Sequence, residues 1–214
     1  MNAITYVAFG DSITVGAKTR VPENRWVSVF ARQVEIAGHR PVDIVNAGLG
    51  DNTISPRTTN YAHASKPSAL ERFESDVVSH RPDLVTVAFG LNDMRFGTPA
   101  SVFAEDLDDM VGRLKVALPA AQLLVLDVFH MTKFNSFPPR DRGSRAATRA
   151  YNQAIAAIAH RHDLPLCEVA AALNLRDDLV AEDGVHVADL GHRLIGNRVF
   201  ETLATATSFL TATR

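Results

Sequence analysis

The chain has 214 residues, of which 46% are hydrophobic and 21% charged, with a formal net charge of −2. That length suits one domain with a sizeable core, and the near-neutral balance offers no electrostatic case for nucleic acid or an anionic membrane. No apolar run approaches the ~18 residues that span a bilayer, and the single cysteine, Cys167, excludes an internal disulfide.

Strands and helices alternate along the chain. Residues 4–9 are short, apolar and rich in β-formers, and Gly10 turns the chain sharply after them. Trp26, Phe30, Val34 and Ala37 share one helical face, which Gly38 closes. A second strand is expected over residues 42–46. A helix over 68–80 gathers Leu70, Phe73, Val77 and Val78 on one side. Residues 83–89 form a near-continuous apolar run, as in a strand covered on both faces. Thr98-Pro99 predicts a helix start with Thr98 as N-cap, and Phe103, Leu107, Met110, Val111 and Leu114 line that helix. Further strands are expected over 122–129 and 164–169, the latter placing Cys167 in the core, and further helices over 144–162 and 189–203. Residues 130–143 and 176–188 read as loops. Repeated βα units with such apolar strands predict a single α/β domain, a three-layer α/β/α sandwich around a mostly five-stranded parallel sheet.

Chemistry concentrates at both ends of this pattern. Gly10-Asp11-Ser12-Ile13 follows the first strand, at the carboxyl edge where open α/β sheets bind ligands. Far away in sequence, Asp183-Gly184-Val185-His186 supplies an acid and a base three residues apart. Ser12, Asp183 and His186 form a candidate acyl-transfer triad, in which His186 removes the Ser12 proton and Asp183 orients the imidazole. Asp11 is expected to bond backbone in the turn.

Gly10-Asp11-Ser12-Ile13 resembles the first block of the SGNH hydrolases, the GDSL-type esterases and lipases. Residues 46–53 are similar to their second block, Gly90-Leu91-Asn92-Asp93 to their G-x-N-D block, and Asp183-x-x-His186 to their last. The four blocks keep the family's order over nearly the whole chain. The resemblance implies a flavodoxin-like fold, cleavage of carboxylic esters through an acyl-enzyme on Ser12, and an oxyanion site with Asn92 donating through its side chain. The Ser12 N–H is a second candidate donor. Aligned on Asn46 and Thr53, the family's oxyanion glycine falls at Asp51, with Gly50 one residue earlier, so the third donor lies between Gly50 and Asp51. A carboxylate pointing inward at Asp51 would oppose the developing negative charge.

Other chemistries fit less well. Gly16-Ala17-Lys18-Thr19 lacks the spacing of a phosphate loop, and no G-x-S-x-G elbow surrounds Ser12. No H-E-x-x-H or carboxylate–histidine cluster calls for a metal, and no cofactor is expected. Arg140, Arg142, Arg145 and Arg149 read as a solvated face rather than an anion grip. Phe134 and Phe137 fit an acyl wall and loop packing equally. The expected partner is a small-molecule ester with a short acyl group: an acetylated carbohydrate, an aryl ester or a lysophospholipid. The alternative is a catalytically silent member of the fold that binds carbohydrate or protein. With no basic segment preceding an apolar run at the N-terminus, no retained signal peptide is expected, which favours a cytoplasmic location.

Overall fold

The computed structural model describes residues 2–212. Five parallel strands, β1 (Ile4–Gly10), β2 (Val42–Gly48), β3 (Leu84–Ala88), β4 (Gln122–Leu126) and β5 (Leu166–Cys167), form one sheet in the order β2-β1-β3-β4-β5. β1 pairs with β2 from Ile4↔Val42 to Gly10↔Gly48 and with β3 from Tyr6↔Leu84 to Gly10↔Ala88. Strand order therefore reverses on either side of β1, which makes its carboxyl end a topological switch point, the usual crevice for a ligand in such sheets.

The helices are α1 (Ser12–Val15), α2 (Trp26–Gly38), α3 (Ala69–Asp76), α4 (Leu91–Arg95), α5 (Ala100–Ala117), α6 (Arg145–Arg161), α7 (Val169–Leu173), α8 (Asp189–Ala206) and α9 (Phe209–Ala212). α2, α7 and α8 pack together in one layer, and α5 and α6 pack in the other. α3 joins α5 through the Arg113 guanidinium, which lies 4.4 Å from the Phe73 ring centre. Ile4, Tyr6, Val7, Phe9, Leu84, Val85 and Val87 are buried, as two covered faces require. Cys167 is likewise buried in the core. No helix among the described residues is long and apolar enough to cross a membrane.

Several boundaries differ from the sequence expectation, each for a local reason. The strand expected over 122–129 stops at Leu126, because the Asn152 amide replaces the next ladder partner. It accepts from Val128 N–H at 2.9 Å and donates to Val128 C=O at 2.8 Å. The strand expected over 164–169 is only Leu166–Cys167. Asp127 Oδ1 accepts Ala170 N–H at 2.9 Å where the chain turns into α7, a helix the hydrophobic pattern concealed. The helix expected over 68–80 ends at Asp76, and Val78–His80 forms a separate 3₁₀ turn. Thr98 does not cap α5. Its hydroxyl accepts Thr59 N–H and its carbonyl accepts the Tyr151 hydroxyl, so Pro99 takes the cap position. Gly38 is the last residue of α2, and His39 adopts the left-handed conformation beyond it.

Gly10 is needed for closeness. A Cβ there would collide with Thr14 Oγ1 and lie 2.8 Å from the Ala88 carbonyl oxygen of the neighbouring strand. Gly10→Ala should therefore destabilise the fold by about 1–3 kcal/mol, the usual cost of overpacking. Thermal unfolding followed by circular dichroism should show the midpoint falling by several degrees.

Candidate active site

Each candidate residue sits where a strand or loop delivers it to the carboxyl edge of the sheet. Ser12 is the first residue of α1, directly after the Gly10-Asp11 turn that leaves β1. Asp11 caps this turn, its Oδ1 accepting Ile13 N–H at 2.9 Å. The Ser12 side chain is thus presented rather than spent on capping.

The candidate base arrives from the far end of the chain. His186 Nε2 lies 2.9 Å from Ser12 Oγ, and His186 Nδ1 lies 2.8 Å from Asp183 Oδ2. Asp183 Oδ1 accepts the N–H groups of Val185 at 2.9 Å and His186 at 3.0 Å, closing a tight local turn. A short antiparallel bridge between Val180 and Val187 supports this turn, as does the bond from Ala181 N–H to His186 C=O. The loop over 130–143 braces it from outside, since Thr132 N–H and Lys133 N–H both donate to Gly184 C=O. Partial burial alone would raise the Asp183 pKa, but bonds from the His186 and Val185 N–H groups and the His186 ring hold it at about 2. Asp183 is therefore ionised throughout the neutral range.

The second block folds as a loop after β2. Asp51 has φ +58°, a left-handed conformation that favours glycine, at the position where the sequence alignment puts the family's glycine. Gly50 has no such requirement, and a Cβ there would meet nothing within 4 Å. The Asp51 carboxylate is held by Arg140, with Nε to Oδ1 at 2.8 Å and Nη2 to Oδ2 at 2.5 Å. Arg140 is thus an ion-pair partner and not a solvated residue, whereas Arg142, Arg145 and Arg149 are exposed. Among the described residues, the N–H groups of Ser12, Gly50 and Asp51 have no protein acceptor.

Asn92 is buried in α4, where its Nδ2 donates to Asn52 C=O at 3.0 Å and its Oδ1 accepts Arg95 Nη1 at 3.2 Å. These two bonds set the orientation of the amide and leave one Nδ2 hydrogen uncommitted. The neighbouring Asp93 binds Ile54 N–H and the Thr58 hydroxyl at 3.0 and 2.8 Å, tying the second block to the third.

A cleft of about 370 Å³ opens beside His186, lined by Lys18, Asp51, Arg95, Phe137, Arg140, Asp183 and Val185. Phe137 stands exposed on it, while Phe134 packs against the core. Sequence reasoning missed Lys18 and Arg95 as cleft residues. Lys18 is 3.8 Å from Asp183 Oδ2, and Arg95 is buried. Among the described residues no group of three or more His, Cys, Asp or Glu is arranged to hold a metal.

The model of the GDSL-like lipase/acylhydrolase family matches residues 8–194. The chain belongs to this GDSL family. Membership makes it an ester-cleaving hydrolase in general terms. Among solved structures, the GDSL chain shares its fold with the lipase/acylhydrolase from Enterococcus faecalis, at 20% identity and a TM-score of 0.73. That match covers 92% of this chain and 94% of the other. It is similarly like an acetylxylan esterase from Geobacillus stearothermophilus, at 20% identity and a TM-score of 0.71, covering 94% of each chain. No curated protein matches the sequence.

Two carboxyls at this GDSL site titrate late. Burial pushes Asp11 up to about 7 against its bond from Ile13 N–H, and burial pushes Asp93 up to about 6. The folded state then binds more protons than the unfolded chain between about pH 4 and pH 7. This contribution to stability is present below the unfolded carboxylate pKa and is lost as pH rises through 7. Asp11→Asn keeps an acceptor for Ile13 N–H but removes one titrating proton. Thermal unfolding at pH 5 and pH 8 should show a smaller loss of stability with rising pH in Asp11→Asn than in the wild type.

Proposed function

We propose that the protein is a serine esterase in which Ser12 is the nucleophile, His186 the general base and acid, and Asp183 the orienting carboxylate. The observation that carries this reading is the continuous hydrogen-bonded series from Ser12 Oγ through the His186 ring to Asp183. Each link has a chemical purpose. The ionised Asp183 accepts from Nδ1, which leaves Nε2 as the acceptor facing Ser12 Oγ.

In the proposed reaction Ser12 Oγ attacks the ester carbonyl carbon while its proton passes to His186 Nε2. The carbonyl oxygen becomes an oxyanion, for which the Ser12 N–H, the free Nδ2 hydrogen of Asn92 and the Asp51 N–H are the proposed donors. Asp51 is favoured over Gly50 because it carries the left-handed backbone, and its carboxylate charge is balanced by Arg140. Collapse of the intermediate breaks the bond to the alcohol, which leaves with the proton from His186. Water, deprotonated by the same imidazole, then attacks the acyl-enzyme and releases the acid and free Ser12.

The cleft suits a small ester. Its apolar lining is limited to Phe137 and Val185, with charged side chains around the rest, so a short acyl group fits better than a long chain. Acetyl esters are proposed as the first substrates to assay.

A fluorophosphonate probe should label the wild type at Ser12 with one-to-one stoichiometry, as read by intact mass and peptide mapping. Ser12→Ala should take no label and show no esterase activity while unfolding at an unchanged temperature. Unaltered labelling of Ser12→Ala would put the nucleophile elsewhere. Asn92→Ala should lower kcat on 4-nitrophenyl acetate by on the order of 10²–10³, the cost of one oxyanion donor. Asp51→Ala, which keeps the N–H, should stay well above it in the same assay.

A further inference from the structure

Among the described residues, Arg95 is the one cleft cation that no carboxylate answers at close range. It ends α4, is 6% exposed, and lines the cleft beside His186. Its only side-chain acceptor among the described residues is the neutral Asn92 Oδ1, at 3.2 Å, and no carboxylate there lies within 4.0 Å. A guanidinium carries five N–H donors, so most of this one's capacity is unused.

The other buried arginine shows what a purely structural role looks like. Arg72 is 3% exposed and binds Asn52 Oδ1, the Ala47 and Gly10 carbonyls and the Asp76 carboxylate. No Arg95 nitrogen is both sealed from solvent and unpaired, so its unused N–H groups stay open to water on the cleft side, where an anionic group could take the water's place. Burial pulls the Arg95 pKa down, the more distant Asp51 charge opposes this, Arg140 adds to the lowering, and Asp11 and Asp183 also oppose it, which leaves a guanidinium charged at any physiological pH.

The carboxylates of the cleft are already engaged. Asp51 is taken by Arg140, and Asp183 by His186 and two backbone N–H groups, with Lys18 beside it. Lys18, Arg95 and Arg140 against Asp51 and Asp183 leave the cleft lining with three cations to two anions. Of the three cations, Arg95 is the one that no carboxylate among the described residues touches.

We propose that this cleft selects esters bearing an anionic group, a carboxylate or a phosphate, a few atoms from the scissile carbonyl, and that Arg95 binds that group. The inference rests on the reading of Ser12 as an esterase nucleophile. The distance follows from Arg95 touching Asn92, the proposed oxyanion donor. A planar guanidinium fits both anions with paired hydrogen bonds, while Lys18 at the rim adds attraction without fixed geometry.

Three matched pairs of esters test this and separate the possible positions of the anion. 4-Nitrophenyl hemisuccinate against 4-nitrophenyl pentanoate places a carboxylate in the acyl half. 4-Acetoxybenzoate against 4-acetoxybenzamide places it in the alcohol half, and 1-acetylglycerol 3-phosphate against 1-acetylglycerol tests phosphate there. In at least one pair, wild-type kcat/KM should favour the anionic ester by on the order of 10- to 100-fold, as a charge-assisted hydrogen bond allows. The preference should shrink with added salt. Arg95→Met should bring that ratio towards one, and Arg95→Lys should keep part of it.

A wild-type ratio near one in all three pairs overturns the proposal and leaves the esterase reading intact. So does an Arg95→Met variant that slows both members of the preferred pair alike, since Arg95 would then act only by holding Asn92. The wild-type ratios decide the matter alone if Arg95→Met does not fold. Failure to hydrolyse any of the six esters, together with no probe labelling at Ser12, overturns the esterase reading and this inference with it.

Discussion

The guanidinium of Arg72 is the point on which the arrangement of the site depends. Parallel strands end with carbonyls directed out of the sheet, and a buried carbonyl without a donor is costly. Arg72 donates to Ala47 C=O near the end of β2 and is a second donor, beside Leu49 N–H, to Gly10 C=O at the end of β1, and its Nε reaches Asn52 Oδ1 in the loop beyond. Its charge is balanced by Asp76 one helical turn on, and its face lies 4.5 Å from the Phe9 ring centre. One side chain thereby joins the turn before Ser12 to the loop carrying Asp51. Asn52 C=O in turn receives Asn92 Nδ2, so the third strand's contribution is tied to the same group. The three sources of the proposed oxyanion donors form one hydrogen-bonded body, held by side chains above the sheet.

That dependence explains how far the sequence could be read. The parallel α/β sandwich was legible because β1, β3 and β4 are apolar runs whose pattern only a sheet covered on both faces requires. The positions of Ser12, Asn92, Asp183 and His186 at the carboxyl edge were legible through motif and strand order together. Arg72 and Arg95 were not. Arg72 lies within a helical pattern whose apolar positions account for the burial by themselves, and Arg95 follows Asn92 and Asp93 without any periodicity of its own. Whether an arginine is buried, and by what it is answered, depends on partners more than twenty residues away in sequence, such as Ala47 for Arg72.

The short elements were misread for a related reason. α7 and the early ends of β4 and β5 are decided by single polar side chains, Asn152 and Asp127, that take over backbone groups a longer strand would have used. Hydrophobic pattern carries no record of such substitutions. The same holds for Asp51, where the alignment indicated a missing glycine and the backbone nonetheless keeps the glycine-like conformation. Asp tolerates that conformation better than most residues, and the bond from Arg140 engages the carboxylate it introduces.

Ser12 and His186 are 174 residues apart in sequence and 2.9 Å apart in space. On a ribosome making roughly 5–20 residues per second, the proposed nucleophile therefore waits on the order of ten seconds or more for its proposed base to be synthesised. During that interval the emerging chain holds Ser12 without the imidazole proposed to activate it. The Ser12–His186 contact can close only once the segment carrying His186 has emerged, and in the folded protein the α8 that follows it packs against α2. With the proposed triad, catalytic competence is a late event in the life of each molecule, and a nascent chain stalled before the last thirty or so residues should carry most of the sheet and none of the reactivity.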